Sequence, residues 1–310
     1  MSSQQGIVVV GVDGTEASTS AVRYGATVSR RSGRPLALVH VLPSFMPAPP
    51  IHPLLTSESM TEVAHHLLRA AREVAEHVAG PDVTVTTELR SGNRGHGLVE
   101  AGEHAHMVVL GHRPRGPLGR IMTTSVTTRV ATRAHCLVVS VPEGWTPGEE
   151  TGHVVVAVDD IGHAPELLRV AFETAEQRGA RLTALHAWQL PVAYDDLVVE
   201  RTDGETWTRE LADDLTAAMA DLRHEHPRVE SVVDVRHERP VTALLAAAGE
   251  ADELLVGRRS HGAPFGFHLG GVARAMVEHA ACPVVVVPMR PRPDQVLDLD
   301  LADEDLVPQT

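Results

Sequence analysis

Two glycine-bearing loops carry the residues best suited to chemistry in this sequence. One follows an apolar run that ends at Leu110, and the other follows a similar run that ends at Val256. Because glycine has no side chain, its backbone N–H can approach a phosphate closely, and the amides that open a following helix also bind anions. The loops therefore carry the strongest functional signal in the sequence. The alternative is that each loop is only a turn between a strand and a helix.

Two aspartates mark the same region of the predicted sheet. Asp13 ends the run Ile-Val-Val-Val-Gly-Val-Asp, and Asp159 ends Val-Val-Val-Ala-Val-Asp. Ligands of open parallel sheets bind beyond the carboxyl ends of the strands, where the strand order reverses. We therefore expect both aspartates to lie beside the glycine-bearing loops. The alternative is that each is an acidic cap on the helix that follows, which the helix dipole favours.

The elements that position these residues occur twice. Asp13 and Asp159 are separated by 146 residues, since 159 minus 13 is 146. The same separation relates Gly33 to Gly179, His40 to His186, Gly111 to Gly257, Cys136 to Cys282 and Pro142 to Pro288. We interpret the chain as two copies of one domain, at 1–142 and 153–289, joined by a linker at 143–152. Residues 290–310 form an acidic tail whose composition predicts disorder; the alternative is a short docking segment.

Within the first copy, strands and helices alternate. The predicted strands are Gly6–Val12, Leu36–Val41, Val83–Leu89, Met107–Leu110 and Leu137–Val141, and the predicted helices are Glu16–Ser32, Glu58–Val78, Gly97–His104 and Ser125–Thr132. Strands joined through helices lie parallel, with helices on both faces of the sheet. The pattern predicts an α/β protein with two tandem, doubly wound, five-stranded parallel sheets. A proline-rich loop follows the second strand at Pro43–Pro53.

The order of these motifs resembles the universal stress protein family. The resemblance lies in Val-Gly-Val-Asp-Gly, Ala-Leu-Val-His-Val and His-Cys-Leu-Val-Val-Ser-Val-Pro in the first copy, and in Val-Gly-Arg-Arg-Ser-His-Gly and Ala-Cys-Pro-Val-Val-Val-Val-Pro in the second. It covers nearly the whole chain outside the linker and tail. It implies the adenine-nucleotide α-hydrolase-like fold and a role in the stress response, with ATP bound or sensed in at least one copy and Mg²⁺ as the only accompanying metal.

Nucleotide-binding members of that family carry Gly-x2-Gly-x9-Gly-Ser/Thr in the loop. The first copy keeps Gly111 and Ser125 but has Pro114 and Thr124 at the other two positions. Proline has no N–H and a fixed φ, so it removes a donor to phosphate. The second copy keeps Gly257 and Gly270 but has Ser260 and Gly271 at the other two positions. Its backbone N–H groups can therefore still approach a phosphate, and we expect the second copy to bind the nucleotide.

The candidate cofactor-binding residues combine the resemblance with the loop chemistry. They are Val12, Asp13, Val41, Gly111, Ser125, Val126, Thr127, Val158, Asp159, Ala187, Gly257, Arg258, Gly270, Gly271 and Val272. His40 and His186, near strand ends, are interpreted as packed and hydrogen-bonded rather than catalytic. No histidine or cysteine spacing predicts a metal site.

Composition excludes several classes of function. The net charge of −14 argues against nucleic acid and anionic membranes as partners, and the apolar run at Ile7–Val10 is too short for a signal peptide or membrane span. We expect a cytoplasmic protein. The sequence lacks the Walker loop and an evident general base, so we expect no enzymatic activity beyond slow ATP hydrolysis. The alternative function is a nucleotide-free interaction module that binds protein partners.

The fifth strand of each copy predicts how the copies meet. Leu137–Val141 and Val284–Val287 are apolar, and members of the resembled family commonly dimerise through their fifth strands. Pairing these strands within one chain removes two exposed sheet edges. The sequence therefore predicts an intramolecular pseudo-dimer and leaves further homodimerisation open.

Overall fold

A computed structural model describes residues 6–43, 57–113, 126–258 and 269–289. Several predictions concern residues outside these ranges: most of the proline-rich loop, Ser125, and the altered loop positions Pro114, Thr124 and Ser260. The acidic tail from Arg290 onward also lies outside them.

In the first copy, the described residues form five strands that alternate with four helices. The strands are β1 (Ile7–Gly11), β2 (Leu36–Leu42), β3 (Val85–Ser91), β4 (Ala105–His112) and β5 (Leu137–Pro142), and the helices are α1 (Glu16–Ser32), α2 (Ser57–Ala79), α3 (Arg94–Ala101) and α4 (Val126–Arg133). Gly33 ends α1 in the left-handed conformation, with φ of 66°, which glycine adopts without a steric penalty.

The second copy repeats this order with additional helices after its second strand. The strands are β6 (His153–Ala157), β7 (Arg181–Trp188), β8 (Ser231–His237), β9 (Glu253–Arg258) and β10 (Val284–Pro288), and the helices are α5 (Pro165–Arg178), α6 (Ala193–Thr202), α7 (Gly204–Ala218), α8 (Ala220–Glu225), α9 (Pro240–Ala248) and α10 (Gly271–His279). Gly179 ends α5 at φ of 63°, as Gly33 ends α1.

Helix α3 begins three residues before its predicted start at Gly97. The Asn93 side chain accepts hydrogen bonds from the backbone N–H groups of Gly95 and His96, so Asn93 is the N-cap. The predicted end at His104 is also wrong, because α3 ends at Ala101, before Gly102. The two glycines inside the helix obscured the periodicity, whereas the asparagine cap was a readable signal.

The ten strands of the described ranges belong to one sheet. Their order is β3-β2-β1-β4-β5-β10-β9-β6-β7-β8, and every neighbouring pair is parallel except β5 and β10. Val284, Val285 and Val286 pair antiparallel with Ser140, Val139 and Val138, which joins the two five-stranded parallel halves edge to edge. Each half is doubly wound, as the sequence predicts. The strand order reverses between β1 and β4 in the first half and between β6 and β9 in the second.

Both faces of the sheet are covered, so the strands read as continuous apolar runs. Val8 and Val10 pack into one core cluster and Val9 into another, because successive side chains of a strand point to opposite faces. The Val154 and Val156 side chains extend the first cluster into the second copy. None of the described helices is long and apolar enough to cross a membrane.

A buried polar cluster links the two copies beside the β5–β10 pair. Tyr24 of α1 donates its hydroxyl to Glu253 Oε2 of β9 at 2.9 Å, and Arg178 of α5 pairs with the same carboxylate. Arg178 also pairs with Glu150 of the linker at 3.3 Å, and Arg31 of α1 reaches Glu150 at 2.5 Å. Residues of both copies and of the linker therefore share one ionic cluster.

Candidate functional site

A small cleft lies at the carboxyl ends of β1, β2 and β4, where the first half reverses its strand order. It encloses about 100 Å³. Its lining contains six of the seven residues predicted for the first copy, namely Val12, Asp13, Val41, Gly111, Val126 and Thr127. The seventh, Ser125, lies outside the described residues. Leu98 and Arg94 of α3 form another wall.

The equivalent cleft of the second copy is larger. It encloses about 500 Å³, within the range of roughly 300–1,000 Å³ typical of small-molecule sites. Its lining contains seven of the eight residues predicted for the second copy, namely Val158, Asp159, Ala187, Gly257, Gly270, Gly271 and Val272. The first amides of α10 open into this cleft, and the first turn of a helix has N–H groups without intrahelical partners. The arrangement suits an anion.

The two loop glycines that open these clefts have different roles in packing. A Cβ at Gly111 would lie 2.0 Å from the backbone oxygen of Ala17, so β4 and α1 approach too closely there for any side chain. At Gly257 the nearest described atom would be Cγ of Met289 at 3.4 Å, an ordinary contact. Packing therefore requires glycine in the first copy, whereas the described surroundings of Gly257 leave room for a side chain.

Glycines 270 and 271 border open space. No described atom lies within 4 Å of a Cβ built at either position. The φ of Gly270 is −55°, a conformation that other residues also adopt. Neither glycine is therefore explained by packing among the described residues, and both leave room for a ligand against the backbone.

The strand-end aspartates line the clefts, and neither occupies the N-cap position of the α-helix that follows. Asp13 Oδ1 accepts hydrogen bonds from the backbone N–H of Thr15 at 3.0 Å and from its hydroxyl at 2.7 Å. Thr15 is the N-cap of α1, and its side chain accepts from the backbone N–H of Ser18. In the second copy α5 begins at Pro165, after Ala164. Neither Asp13 nor Asp159 is therefore the N-cap residue of α1 or α5.

The two strand-end histidines are held by the backbone. His40 Nδ1 lies 2.6 Å from the carbonyl oxygen of Val12, and His186 Nδ1 lies 2.8 Å from that of Val158. Both side chains are buried, and each fixes the end of one strand against its neighbour. The prediction that they are packed and hydrogen-bonded is confirmed.

Arg258, the eighth residue predicted for the second site, does not line the cleft. It is buried, and its Nη1 donates to the carbonyl oxygens of Ala134 at 2.7 Å, Thr132 at 3.0 Å and Ala131 at 3.2 Å. These carbonyls lie at the end of α4, where helices have unpaired acceptors. The Arg258 side chain therefore caps a helix of the first copy from a strand of the second.

An aromatic wall of the second cleft was missed by the sequence analysis. Trp188, which follows the predicted residue Ala187 on β7, lines the cleft and stacks on His237 with ring centroids 4.1 Å apart. Its buried indole N–H has no hydrogen-bond partner among the described residues. The signal that the sequence offered for Trp188 was its position at the end of β7, directly after Ala187. The stacking with β8 was not readable, because 49 residues separate the two rings in sequence.

Asp196 of α6 holds this wall in place. Asp196 Oδ1 accepts a hydrogen bond from His237 Nε2 at 2.7 Å and from the backbone N–H of Leu190 at 2.9 Å. Gln189 donates to the other carboxylate oxygen at 3.0 Å. The hydrogen bond from His237, followed by that from Leu190, lowers the pKa of Asp196 to about 2. Further lining comes from Pro240 and Leu244 of α9.

Comparison with known proteins reveals the same duplication as the fold. The sequence model of the universal stress protein family matches the chain twice, at residues 6–142 and 150–288. A universal stress protein of Mycolicibacterium smegmatis is 29% identical over 293 residues, which cover 92% of this chain and 97% of the relative. One from Mycobacterium tuberculosis is 30% identical over 287 residues, covering 90% of this chain and 96% of the relative.

Solved structures agree in fold. The crystal structure of a universal stress protein from Archaeoglobus fulgidus has a TM-score of 0.68 at 18% identity, covering 92% of this chain and 99% of that one. The paired family matches, the two five-stranded halves and the full-length relatives support one conclusion. This chain belongs to the universal stress protein family, as a tandem member with two copies of the domain.

Proposed function

We propose that the chain is a stress-response protein that binds or senses ATP or a related adenine nucleotide in its second copy. The observation that carries the proposal is the cleft of about 500 Å³ in which Asp159, Gly257 and the N-terminus of α10 meet. The first cleft encloses about 100 Å³, roughly one fifth of that volume. The two sites are therefore proposed to differ.

The chemistry of the second cleft suits the parts of a nucleotide. The α10 amides and the open space at glycines 270 and 271 favour a phosphate group. The apolar wall of Ala187, Trp188 and Leu244 favours a base. A ligand acceptor would satisfy the Trp188 indole N–H. Asp159 is proposed to contact the ribose, and Mg²⁺ would accompany the phosphates.

Isothermal titration calorimetry of the full chain with Mg·ATP tests this proposal. We expect one nucleotide per chain, together with a thermal shift, because a ligand of the native state stabilises by about 2.7 kcal/mol at 100 times its dissociation constant. Gly270→Thr introduces the first copy's own residue, Thr124, at the equivalent position and should weaken binding at least tenfold. The matched change Thr124→Gly should leave that dissociation constant unchanged.

Absence of both heat and thermal shift at millimolar ATP would overturn the nucleotide proposal. The chain would then be assigned to the alternative function, an interaction module. One observation favours that alternative: three apolar side chains of α6 are exposed, with Tyr194 74%, Leu197 45% and Val198 42% accessible. Bound ATP that remains intact over hours would exclude even slow hydrolysis.

We also propose that the β5–β10 pairing holds the chain in solution as a pseudo-dimer of domains 1–142 and 153–289, with 143–152 as the linker. The antiparallel register and the shared Tyr24–Glu253–Arg178 cluster support it. Hydrogen exchange tests the β5–β10 pairing directly, because the amides of Val139 and Val285 should be among the most protected in the chain. Fast exchange at these two positions in an otherwise protected sheet would contradict the pairing.

A further inference from the structure

Helix α6 turns its apolar side chains toward solvent. Tyr194, Leu197 and Val198 stand at positions i, i+3 and i+4, so they share one side of the helix, and all three are exposed. Val192, just before the helix, is exposed as well. A surface helix ordinarily buries such a stripe against its own domain. We call Tyr194, Leu197 and Val198 the α6 face.

The other side of α6 is fixed to the domain by a carboxylate. Asp196 lies two residues from both Tyr194 and Val198, about 200° around the helix from each. Its side chain is only 13% exposed and accepts the hydrogen bonds from His237, Leu190 and Gln189. Rolling the helix to bury the α6 face would break these bonds, which is costly for an ionised group. The α6 face therefore stays outward.

Helix α7 adds an exposed aromatic side chain to the same region. Trp207 is 39% exposed, and its ring centroid lies 5.7 Å from that of Trp188. Trp188 stacks on His237, which holds Asp196. One cluster of rings therefore supports both α6 and Trp207. Exposed tryptophan is notable because aromatic side chains are frequent anchors of protein interfaces.

The surface around these side chains is acidic. Residues 193–218 carry eight acidic residues and two arginines, and 2 minus 8 gives −6. The acidic residues are Asp195, Asp196, Glu200, Asp203, Glu205, Glu210, Asp213 and Asp214. Apart from Asp196, none of them has an ion-pair partner within the described ranges. Glu210 and Asp214 follow Trp207 at i+3 and i+7, so they share its side of α7.

We propose that the α6 face and Trp207 form a docking surface for a cationic amphipathic segment of a partner protein. In such a segment an apolar stripe would pack on the α6 face, and lysine and arginine side chains would meet the surrounding carboxylates. The two α7 carboxylates beside Trp207 favour a cation there. The proposal holds whether or not the second cleft binds a nucleotide.

Charge selects this occupant over others. A second copy of the chain would bring a net charge of −14 and the same acidic helices against this surface, and like charges repel. The chain's own residues 294–310 contain six acidic residues and no lysine or arginine. An anionic membrane surface is disfavoured for the same reason. A cationic segment from another protein is the occupant that complements both the apolar stripe and its acidic border.

Peptide binding to the full chain, without nucleotide, tests the proposal. The probe is a labelled synthetic helix of about 18 residues with leucine at i, i+3, i+4 and i+7 and lysine between them. Fluorescence anisotropy gives its dissociation constant. A peptide of the same composition in scrambled order keeps the charge but lacks the stripe, and it should bind about tenfold more weakly.

Substitutions locate the binding on the chain. Leu197→Ser with Val198→Ser should weaken binding of the ordered peptide by about tenfold, because both apolar contacts are lost. The matched control is Val63→Ser with Val232→Ser, since these valines are also exposed but lie on α2 and β8; it should leave the dissociation constant within about twofold. The melting temperature checks that each variant is folded.

The acidic border has its own test. Asp195→Asn with Glu200→Gln removes two charges beside the α6 face and should weaken binding of the ordered peptide by about threefold at low salt. The difference from the unmodified chain should shrink as salt is added, because exposed charges are screened. A loss of affinity that is the same at all salt concentrations would contradict the electrostatic part of the proposal.

Four outcomes would overturn the docking surface. The ordered peptide shows no binding, or it binds no better than the scrambled one, which would mean that the protein attracts positive charge only. The change at Leu197 and Val198 leaves its affinity intact, which would place the contact elsewhere. The chain forms a dimer that this change abolishes, which would assign the α6 face to a second copy. Removal of residues 290–310 strengthens peptide binding, which would assign the face to the chain's own tail.

Discussion

Gly111 and Gly257 occupy the same position in the two copies but are glycine for different reasons. At Gly111 the backbone of α1 leaves no room for a Cβ, whereas at Gly257 the nearest described contact is ordinary. A shared motif residue is therefore a packing requirement in one copy and a potential ligand contact in the other. The conservative change to alanine separates these roles.

We predict that Gly111→Ala destabilises the protein by about 1–3 kcal/mol or more, because the added Cβ overlaps the backbone of Ala17. Gly257→Ala, its matched control, should cost at least about 1 kcal/mol less. Urea unfolding of both variants measures the difference. Equal losses of unfolding free energy would show that the packing at the two positions is the same.

At the scale of the elements, Arg258 connects a strand of one copy to a helix of the other. It supplies donors to carbonyls at the end of α4, a helix of only eight residues. Such a short helix has half of its carbonyls in the terminal turn, so external donors matter. Arg258 is predicted from sequence to contact the cofactor, and the position of its side chain allows a test of that prediction.

We predict that Arg258→Met destabilises the protein by about 1.5–3 kcal/mol, the range for losing hydrogen bonds to a charged group. The dissociation constant for nucleotide should stay within about twofold of the original, since the side chain points to α4. Denaturation and calorimetry on the same preparation separate the two effects. A large loss of affinity with unchanged stability would restore the cofactor role.

The wall of the second cleft provides a pH-dependent observable. Because the pKa of Asp196 is held at about 2, below its ordinary value of 3.8, the ionised carboxylate stabilises the fold. This contribution is complete above pH 3.8 and is lost as the pH falls toward 2. The largest cause of the low pKa of Asp196 is the hydrogen bond from His237.

We predict that His237→Phe, which keeps a ring against Trp188 but removes the donor, raises the pKa of Asp196 toward 3.8. Carbon-detected NMR of the aspartate carboxyls follows the titration. His226→Phe is the matched control, because His226 is hydrogen-bonded to Glu176 instead. An unchanged Asp196 titration in His237→Phe would mean that backbone donors alone hold the carboxylate.

At the scale of the whole molecule, the two copies share a sheet and an ionic cluster. The Arg178 and Glu253 side chains are only 9% and 4% exposed. Burial of two charges is costly, and their attraction offsets the cost only while both are present. Both residues belong to the second copy, and Tyr24 of the first copy joins them by donating its hydroxyl to Glu253.

We predict that Arg178→Met alone destabilises the chain by about 3–5 kcal/mol, because it leaves the Glu253 carboxylate buried without its cation. Adding Glu253→Leu should recover part of this loss, since the double change leaves no unpaired charge. Chemical denaturation of the single and double variants gives the coupling energy. A double variant no more stable than Arg178→Met would contradict this account.

The sequence by itself determined the family, the duplication and most of the strands and helices. These features depend on short-range patterns and on one constant separation of 146 residues, which need no knowledge of distant contacts. It also grouped the candidate site residues: most of those in the described ranges line the two clefts, because strand ends and helix starts meet at the switch point of a parallel sheet.

Only the tertiary structure decided how the two clefts differ. The features that distinguish the clefts arise from residues far apart in sequence. They are the cleft sizes, the close approach of α1 to Gly111, the hydrogen bonds of Arg258 to α4 and the stacking of Trp188 on His237. Side-chain direction and the approach of one backbone to another are set by packing, which local patterns do not record. The repeat made the two copies alike in fold, and packing made their clefts different.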